Sequence, residues 1–503
     1  MLLMGIDVGT TGCKVATFSD DGTLRALEYT EYDIERPRPG HAELNAQEIW
    51  PAIESTIERV TRRSADLGTV TAISVTSMGE NLVPVDDSRA ILGPSILNID
   101  QRGAEYVPQL RERLSDYELY RINGNVWGNQ FSLPKLMWIR DYQPGLYERA
   151  TKFLHWGSFV LYKLGAEAMI DYSLANRSLL FDINTGDWST TLLEIGGIDR
   201  DKLPAAVSAG TVAGEVSAAA AAATGLPAGT PLVVGTHDQC ANALGCGVVE
   251  DGMALYGMGT FPTIAPVYSG GIDTAVMVDN RLNTEHHAVP GKFVSFLFHM
   301  GGSSVKWFRQ QFAPQSSYDD LFNEMPDTVA PVLVLPRFAP MGPPRYEADA
   351  SAIVEGLTLE SSRGDLLRGI VEANTLALKM LVEQLPPAGI QIDSYVAAGG
   401  GSKSDRSLQI AADILGKPIV RSGVVEAGAF GAALLSGIGT GQYSSAREAV
   451  EVASTLGVSF DPDAKRVDQY EEVLSLYKEL RETMAPLIEK WVAFRGNASV
   501  AGD

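Results

Sequence analysis

The chain has 503 residues, 45% of them apolar and 50 of them glycine, with 40 Lys and Arg against 62 Asp and Glu for a net charge of −22. That length is too great for one ordinary domain and calls for two large ones or three small ones. The excess of negative charge argues against nucleic acid and anionic membrane surfaces as partners, while leaving room for a local basic pocket that holds a nucleotide.

The opening Met1-Leu-Leu-Met-Gly-Ile reaches Asp7 too early for a signal peptide, and no run approaches the roughly 20 apolar residues needed to cross a bilayer. A soluble, cytoplasmic protein is the expectation. Three cysteines, Cys13, Cys240 and Cys246, have no C-x-x-C spacing, which predicts thiols in the core and neither a zinc site nor a disulfide frame.

Residues 4–30 parse as strand, glycine turn, strand, Asp-Gly turn, strand. Asp7 late in the first strand, followed by Gly9, Thr10 and Thr11, puts a carboxylate beside exposed N–H groups and hydroxyls. That arrangement suits a phosphate with its magnesium ion. It lacks the Gly-Lys of the Walker pattern, and an ordinary hairpin turn accounts for it equally well.

Residues 47–64 carry Ile49, Ile53, Ile57 and Val60 on one helical face, and residues 70–76 read as a strand leading to Ser77-Met-Gly-Glu80. A second strand covers 81–86, and residues 96–102 end in Asp100 and Arg102. Glu80, Asp100 and Arg102 could line the rim of a sheet, where open α/β folds bind ligands, or be solvated loop residues. Residues 131–163 bring Lys135, Trp138, Trp156 and Tyr162 at helical spacing, mostly as core. The alanines at 218–223 make a short helix stopped by Gly225.

At 231–245, Leu232, Val233 and Val234 read as a buried strand, Gly235 to His237 as a turn, and the residues after Asp238 as a helix. Asp238 thus stands at a strand-to-helix corner. By itself it reads first as a helix cap. A carboxylate there could also take a proton from a bound hydroxyl.

Residues 252–267 repeat the strand, turn, strand pattern of the N-terminal hairpin, with Gly259 and Thr260 in the turn. An echo half a chain away predicts two related domains, 1–246 and 247–503. Ala330 to Arg345 reads as a strand and a Pro-rich loop, and 363–384 as a helix burying Leu366, Leu367, Ile370, Val371, Leu376, Leu378, Leu381 and Val382. Residues 395–416 read as a strand, the triple glycine Gly399, Gly400 and Gly401 with Ser402, and a helix from Ser404, a candidate for backbone approach to a nucleotide. The small-residue helix at 425–435 either walls an adenine pocket or packs tightly in the core, and 466–494 is an amphipathic helix.

In this order, and over nearly the whole chain, these stretches resemble the FGGY carbohydrate kinases. The likeness is carried by Gly5-Ile-Asp-Val-Gly-Thr-Thr-Gly-Cys-Lys14, Gly235-Thr-His-Asp-Gln239, Gly257-Met-Gly-Thr260, the segment from Pro336 through Gly356-Leu357 to Arg368, and the glycines at 399–401. Lys135-Leu-Met-Trp138 also matches a family signature, although Gln130 and Tyr142 depart from its usual ends.

The resemblance implies an α/β fold of two ribonuclease-H-like, actin-like ATPase domains flanking a cleft, with sugar mostly on the first and ATP mostly on the second. It implies Asp238 as catalytic base and Asp7 as the acid linked to Mg2+. Thr10, Thr11, Lys14, Gly259, Thr260, Gly399, Gly400, Gly401 and Ser402 would hold the nucleotide, and Glu80, Asp100, Arg102, Gln130 and Asp238 the sugar.

A glycerol kinase is expected to carry Arg where Gly79 stands, and a xylulose kinase Gln-Met-His near Met78. Asn98 replaces a frequent tryptophan. With Glu80 and Gln130 it makes a pocket suited to a polyhydroxylated substrate, a ketopentose such as xylulose or a polyol. The rival readings are an actin-like ATPase switch acting on a protein partner and an inactive sugar sensor. A homodimer is admitted as an assembly.

Overall fold

The computed structural model describes residues 1–259, 261–299, 301–339 and 350–500. Thr260 and the later part of the Pro-rich loop lie outside them.

A six-stranded sheet forms first. Its strands are β1 (Leu2–Val8), β2 (Gly12–Ser19), β3 (Leu24–Glu31), β4 (Val70–Ser77), β5 (Val212–Glu215) and β6 (Pro231–His237), in the order β5-β6-β4-β1-β2-β3. β1, β2 and β3 are antiparallel neighbours, whereas β1, β4 and β6 run parallel. Helix α1 (Ala46–Ser64) buries Ile49, Ile53, Ile57 and Val60, the face expected from their spacing.

The second sheet repeats this plan. β7 (Gly252–Gly257) and β8 (Thr263–Tyr268) are antiparallel, β8 pairs with β9 (Phe293–Val294), and β7 lies parallel to β10 (Ile392–Ala398), which lies parallel to β11 (Ile419–Ser422). The order β9-β8-β7-β10-β11 therefore matches β3-β2-β1-β4-β6 of the first sheet, strand for strand and direction for direction. The echo between the two hairpins is the start of a whole repeated topology.

Two helices join the sheets. α2 (Asp238–Gly245) contributes Cys240 and Ala243 to a core cluster with Leu255, Ala265 and Val396 of the second sheet. α3 (Ala427–Gly439) packs across β1, β4 and β6 of the first sheet and against α2. Its small residues permit this. A Cβ on Gly5 would run into the Ala429 carbonyl oxygen, one on Gly431 into that of Ala241, and one on Gly245 into that of Ala427. Close packing, the second of the two readings of this helix, is what its residues do.

Elsewhere the helix Arg363–Val382 buries Leu367, Ile370, Val371, Leu376, Leu378 and Leu381, with Leu366 and Val382 half-buried. Arg368 within it is a structural residue: it donates to Glu372 Oε1 at 2.5 Å and to the Tyr470 hydroxyl at 2.9 Å, tying this helix to the C-terminal helix Ala464–Val500. All three cysteines are free and buried.

Lys135, Trp138, Trp156 and Tyr162 all lie on helices, as their spacing implies, with the strand Lys152–His155 separating Ser132–Tyr142 and Pro144–Arg149 from Trp156–Leu164. One expectation fails: Gly235 is no turn residue, because β6 continues to His237, and Gly235 is needed because the Val75 carbonyl oxygen occupies the place of its Cβ.

Candidate active site

In both sheets the parallel strands end on one rim, the edge at which open α/β sheets collect ligands. β1 ends beside Asp7, β4 runs into Glu80 and β6 into Asp238. The register pairs Asp7 with Lys14 across the first hairpin and His237 with Ser77 across the parallel pair. Residues far apart in sequence are thereby gathered by strand direction alone.

Asp238 is the first residue of α2, and the N-cap position falls to His237. The Asp238 side chain is 24% exposed, and its Oδ1 lies 3.2 Å from His237 Nε2. Burial pushes its carboxyl above the ordinary range and the charge of Glu80 adds to this, while His237 and the Gln239 amide pull it back. The corner is held by the His237 amide, which donates to Ser173 Oγ at 2.8 Å.

Glu80, whose charge acts on Asp238, belongs to a buried polar network. Glu80, held at φ +62°, accepts from Arg177 Nε at 2.8 Å and from Arg177 Nη2. Its other oxygen faces the Asn98 amide at 3.5 Å, and its carbonyl accepts from Ser132 Oγ at 2.5 Å. Arg177 also lies over the Phe131 ring, next to Gln130. Gly79 lets it in: a Cβ there would lie 3.1 Å from Arg177 Cγ and 3.3 Å from His237 Nε2.

Asp100 and Arg102 are drawn into the fold of the loop. Asp100 is fully buried. It accepts from the Ala42 amide at 2.6 Å, the Arg102 amide at 2.7 Å and the Arg102 guanidinium at 2.7 Å, and Arg102 pairs with Glu43 at 2.7 Å. Burial would raise the Asp100 carboxyl, but these donors hold it below the usual range. Lys135 Nζ donates to the carbonyls of Asp100 and Arg102 at 2.7 Å each, and burial brings its ammonium down to about 7.

The first hairpin turn, between β1 and β2, opens on the same rim. Asp7 is pushed up to about 7, first by burial and then by Asp238, with Lys14 acting in the opposite sense and Glu426 adding to the rise. Lys14 Nζ pairs with Glu426 Oε2 at 2.7 Å, at the start of α3. A Cβ on Gly428 would lie 2.6 Å from Asp7 Oδ2, so glycine there opens space around the carboxylate. Thr10 is half-buried, with its hydroxyl 3.5 Å from Met78 Sδ, and Thr11 is exposed. The carboxylate of Asp7, a hard oxygen donor acted on by charge, fits a magnesium ion.

A cavity of about 690 Å³ opens on the rim of the second sheet, lined in part by Tyr256, Met258, Gly259, Lys306, Asn374, Gly400, Gly401, Lys403 and Ser404. No residue of α3 lines it. Gly399 has φ +96°, and its Cβ would meet the Met258 carbonyl at 3.1 Å; Gly401 is equally tight against Met258. At Gly259 and Gly400 a Cβ would meet nothing, so there the backbone faces open space. The Ser402 hydroxyl turns inward to the Gly399 carbonyl at 2.8 Å. Lys306, Asn374 and Tyr256 went unread in the sequence, since each lies in an unremarkable helix or strand.

This doubled sheet, with two glycine-edged rims and an acid at each strand end of the first, has close counterparts. The model of the FGGY family of carbohydrate kinases, N-terminal domain, matches residues 2–245, and that of the C-terminal domain matches residues 283–440. The chain belongs to the FGGY family of carbohydrate kinases.

FGGY kinases similar to it include a xylulose kinase of Bacillus subtilis, 26% identical over 98% of this chain and 99% of that one. A glycerol kinase of Solidesulfovibrio magneticus is 29% identical over 93% of this chain and 95% of that one. The crystal structure of a xylulose kinase from Rhodospirillum rubrum superposes with a TM-score of 0.87 at 26% identity, covering 97% of this chain and all of the other. The fold is thus that of the actin-like, ribonuclease-H-like sugar kinases, and the enzyme is a phosphotransferase with an alcohol acceptor and ATP as the family's co-substrate. Among the described residues no helix is long and apolar enough to cross a membrane.

Proposed function

We propose that this kinase transfers the γ-phosphoryl group of ATP to a hydroxyl of a ketopentose such as xylulose, or of a polyol, with Asp238 as general base. The observation that carries the reading is the place of Asp238 on the rim where the parallel strands β1, β4 and β6 end, within reach of the charges of both Glu80 and Asp7. A carboxylate raised by burial but countered by an imidazolium remains basic enough to accept the hydroxyl proton as the oxygen attacks phosphorus.

The division of labour follows the two rims. Residues 1–246 would form the sugar side, with Glu80, Asn98 and Gln130 meeting substrate hydroxyls, and residues 247–503 the nucleotide side, with the phosphates near Gly259 and Gly399 to Gly401. Asp7 would hold Mg2+, which when bound neutralises charge on the phosphate oxygens. Asp100 and Arg102, being paired with each other, would serve the sugar by shaping the loop that carries Asn98 and by fixing its backbone.

The substrate class is supported by the polar lining and by relatives named xylulose kinase and glycerol kinase. ADP release, measured with Mg-ATP against ketoses, aldoses, sugar acids and polyols, tests it. Turnover with a ketopentose or polyol that Asp238→Asn abolishes is the expected result. ATP binding without turnover on any acceptor would overturn it in favour of a sugar sensor.

A further inference from the structure

Glu285 is fully buried on a two-residue strand, Glu285–His286, in the part of the chain that builds the second sheet. It belongs to no motif, yet three polar groups converge on it. Its Oε1 is 2.8 Å from His237 Nδ1 and 3.6 Å from the Cys240 thiol, and its Oε2 is 3.7 Å from Arg177 Nη1 with no hydrogen-bond partner of its own. The same Arg177 binds Glu80.

Both nitrogens of His237 therefore face carboxylates, Nδ1 that of Glu285 and Nε2 that of Asp238. Only the imidazolium can donate to both. Burial would favour the neutral ring and Arg177 opposes its charge, but Glu285 and Asp238 together lift it to about 9. His155 feels that charge in turn, and its own ring, already held neutral by burial, is pushed further down to about 3. Phe296 meets the His237 ring edge-on at 5.5 Å and fixes its plane.

Ligand atoms of His237, Cys240 and Glu285 lie within 4.8 Å of one another. Burial and the neighbouring Glu285 hold the Cys240 thiol well above its ordinary range, so it is protonated here and donates to Glu285 Oε1.

We propose that His237 and Glu285 are positioning residues for the base of phosphoryl transfer. Glu285 orients His237, and His237 holds Asp238 by Oδ1, leaving the other carboxylate oxygen for the substrate. In the step so arranged, the substrate oxygen bonds to the γ-phosphorus, the bond from that phosphorus to the β,γ-bridging oxygen breaks, ADP leaves, and the hydroxyl proton passes to Asp238 and then to solvent. The arrangement resembles the orienting acid of a catalytic triad, with a carboxylate in the place of the nucleophile. This rests on Asp238 being the base.

The test compares wild-type enzyme, Glu285→Gln, His237→Gln and Asp238→Asn, with folding checked by thermal melting and ATP binding by titration. Hydrogen-bond partners that orient metal ligands are typically worth about 10- to 100-fold, and a group that orients a base is expected to matter on the same order. Glu285→Gln and His237→Gln should each lower kcat by about that factor, with both KM values within about threefold of wild type. Glu285→Gln should also move the alkaline limb of the kcat profile to lower pH, because the imidazolium loses the carboxylate that stabilises it.

Wild-type kcat in both variants, or a loss confined to KM with an unmoved pH profile, would overturn the proposal. If Glu285→Gln does not fold, kcat of His237→Gln decides alone. Full turnover in Asp238→Asn would instead remove the base assignment itself, so the two failures are distinguishable.

Discussion

Lys14 Nζ lies 2.7 Å from Glu426 Oε2, so that the first hairpin turn is bound to the helix crossing over from the second half of the chain. Lys14 is 40% exposed. If Lys14 serves the phosphates, it must exchange Glu426 for them. A pair this open is worth about 0.2–1 kcal/mol, or up to about fivefold. Glu426→Gln should then lower the KM for ATP by that much, and Lys14→Met should raise it. A higher KM in Glu426→Gln would mean instead that Glu426 steers the lysine; initial rates at varied ATP decide.

Asp238→Asn keeps the shape of the corner and removes the basic oxygen. Loss of a general base costs about 10²- to 10⁴-fold in turnover. The expected result is a kcat reduced by that factor with the ATP dissociation constant unchanged. Because burial raises the Asp238 carboxyl, the wild-type kcat should fall on the acid side at a pH above the ordinary carboxylate range. A steady-state pH profile checks this.

The corner at Asp238, the two hairpins and the glycine stretches were legible because each is local. A few residues with a definite backbone requirement leave a mark in the sequence. Arg177 and Glu285 leave none. They reach Glu80 and His237 across 97 and 48 residues, and such pairings have no period. Gly235 misled for a different reason: glycine marks a turn and a close backbone approach alike, and the Val75 carbonyl makes it the second. The strand Lys152–His155 was hidden because four residues between helices are too few to establish an alternation.

Asp7 gives a prediction about protons and metal. Its carboxyl, raised to about 7 in the metal-free protein, binds a proton in the native state where the unfolded chain does not. The part of the stability that depends on Asp7 therefore falls as pH rises from about 4 to 7 and does not change above that. Asp7→Asn should raise the melting temperature more at pH 8 than at pH 5, while Mg-ATP turnover is lost. Metal and proton also compete, so magnesium affinity should weaken by up to about tenfold per unit below pH 7. Titration calorimetry at pH 6 and pH 8 measures it, and equal affinities would remove Asp7 as the ligand.

The three glycines at 399–401 should not respond alike. At Gly399 the backbone lies at φ +96°, and an added Cβ would meet the Met258 carbonyl at 3.1 Å. Both the dihedral and the contact oppose alanine. Strain of this kind costs about 1–3 kcal/mol, and Met258 cannot yield freely because its own amide is bonded to Ala398 O at 2.7 Å. Gly400 is different. Its φ is ordinary, and a Cβ would have no neighbour within 4 Å, yet the residue lines the cavity of the second rim. Gly399→Ala should thus lower the melting temperature by several degrees. Gly400→Ala should leave it unchanged, and if the backbone approaches a nucleotide there, raise the KM for ATP without altering the KM for the sugar. A Gly400→Ala enzyme with wild-type ATP kinetics would move the nucleotide away from this turn.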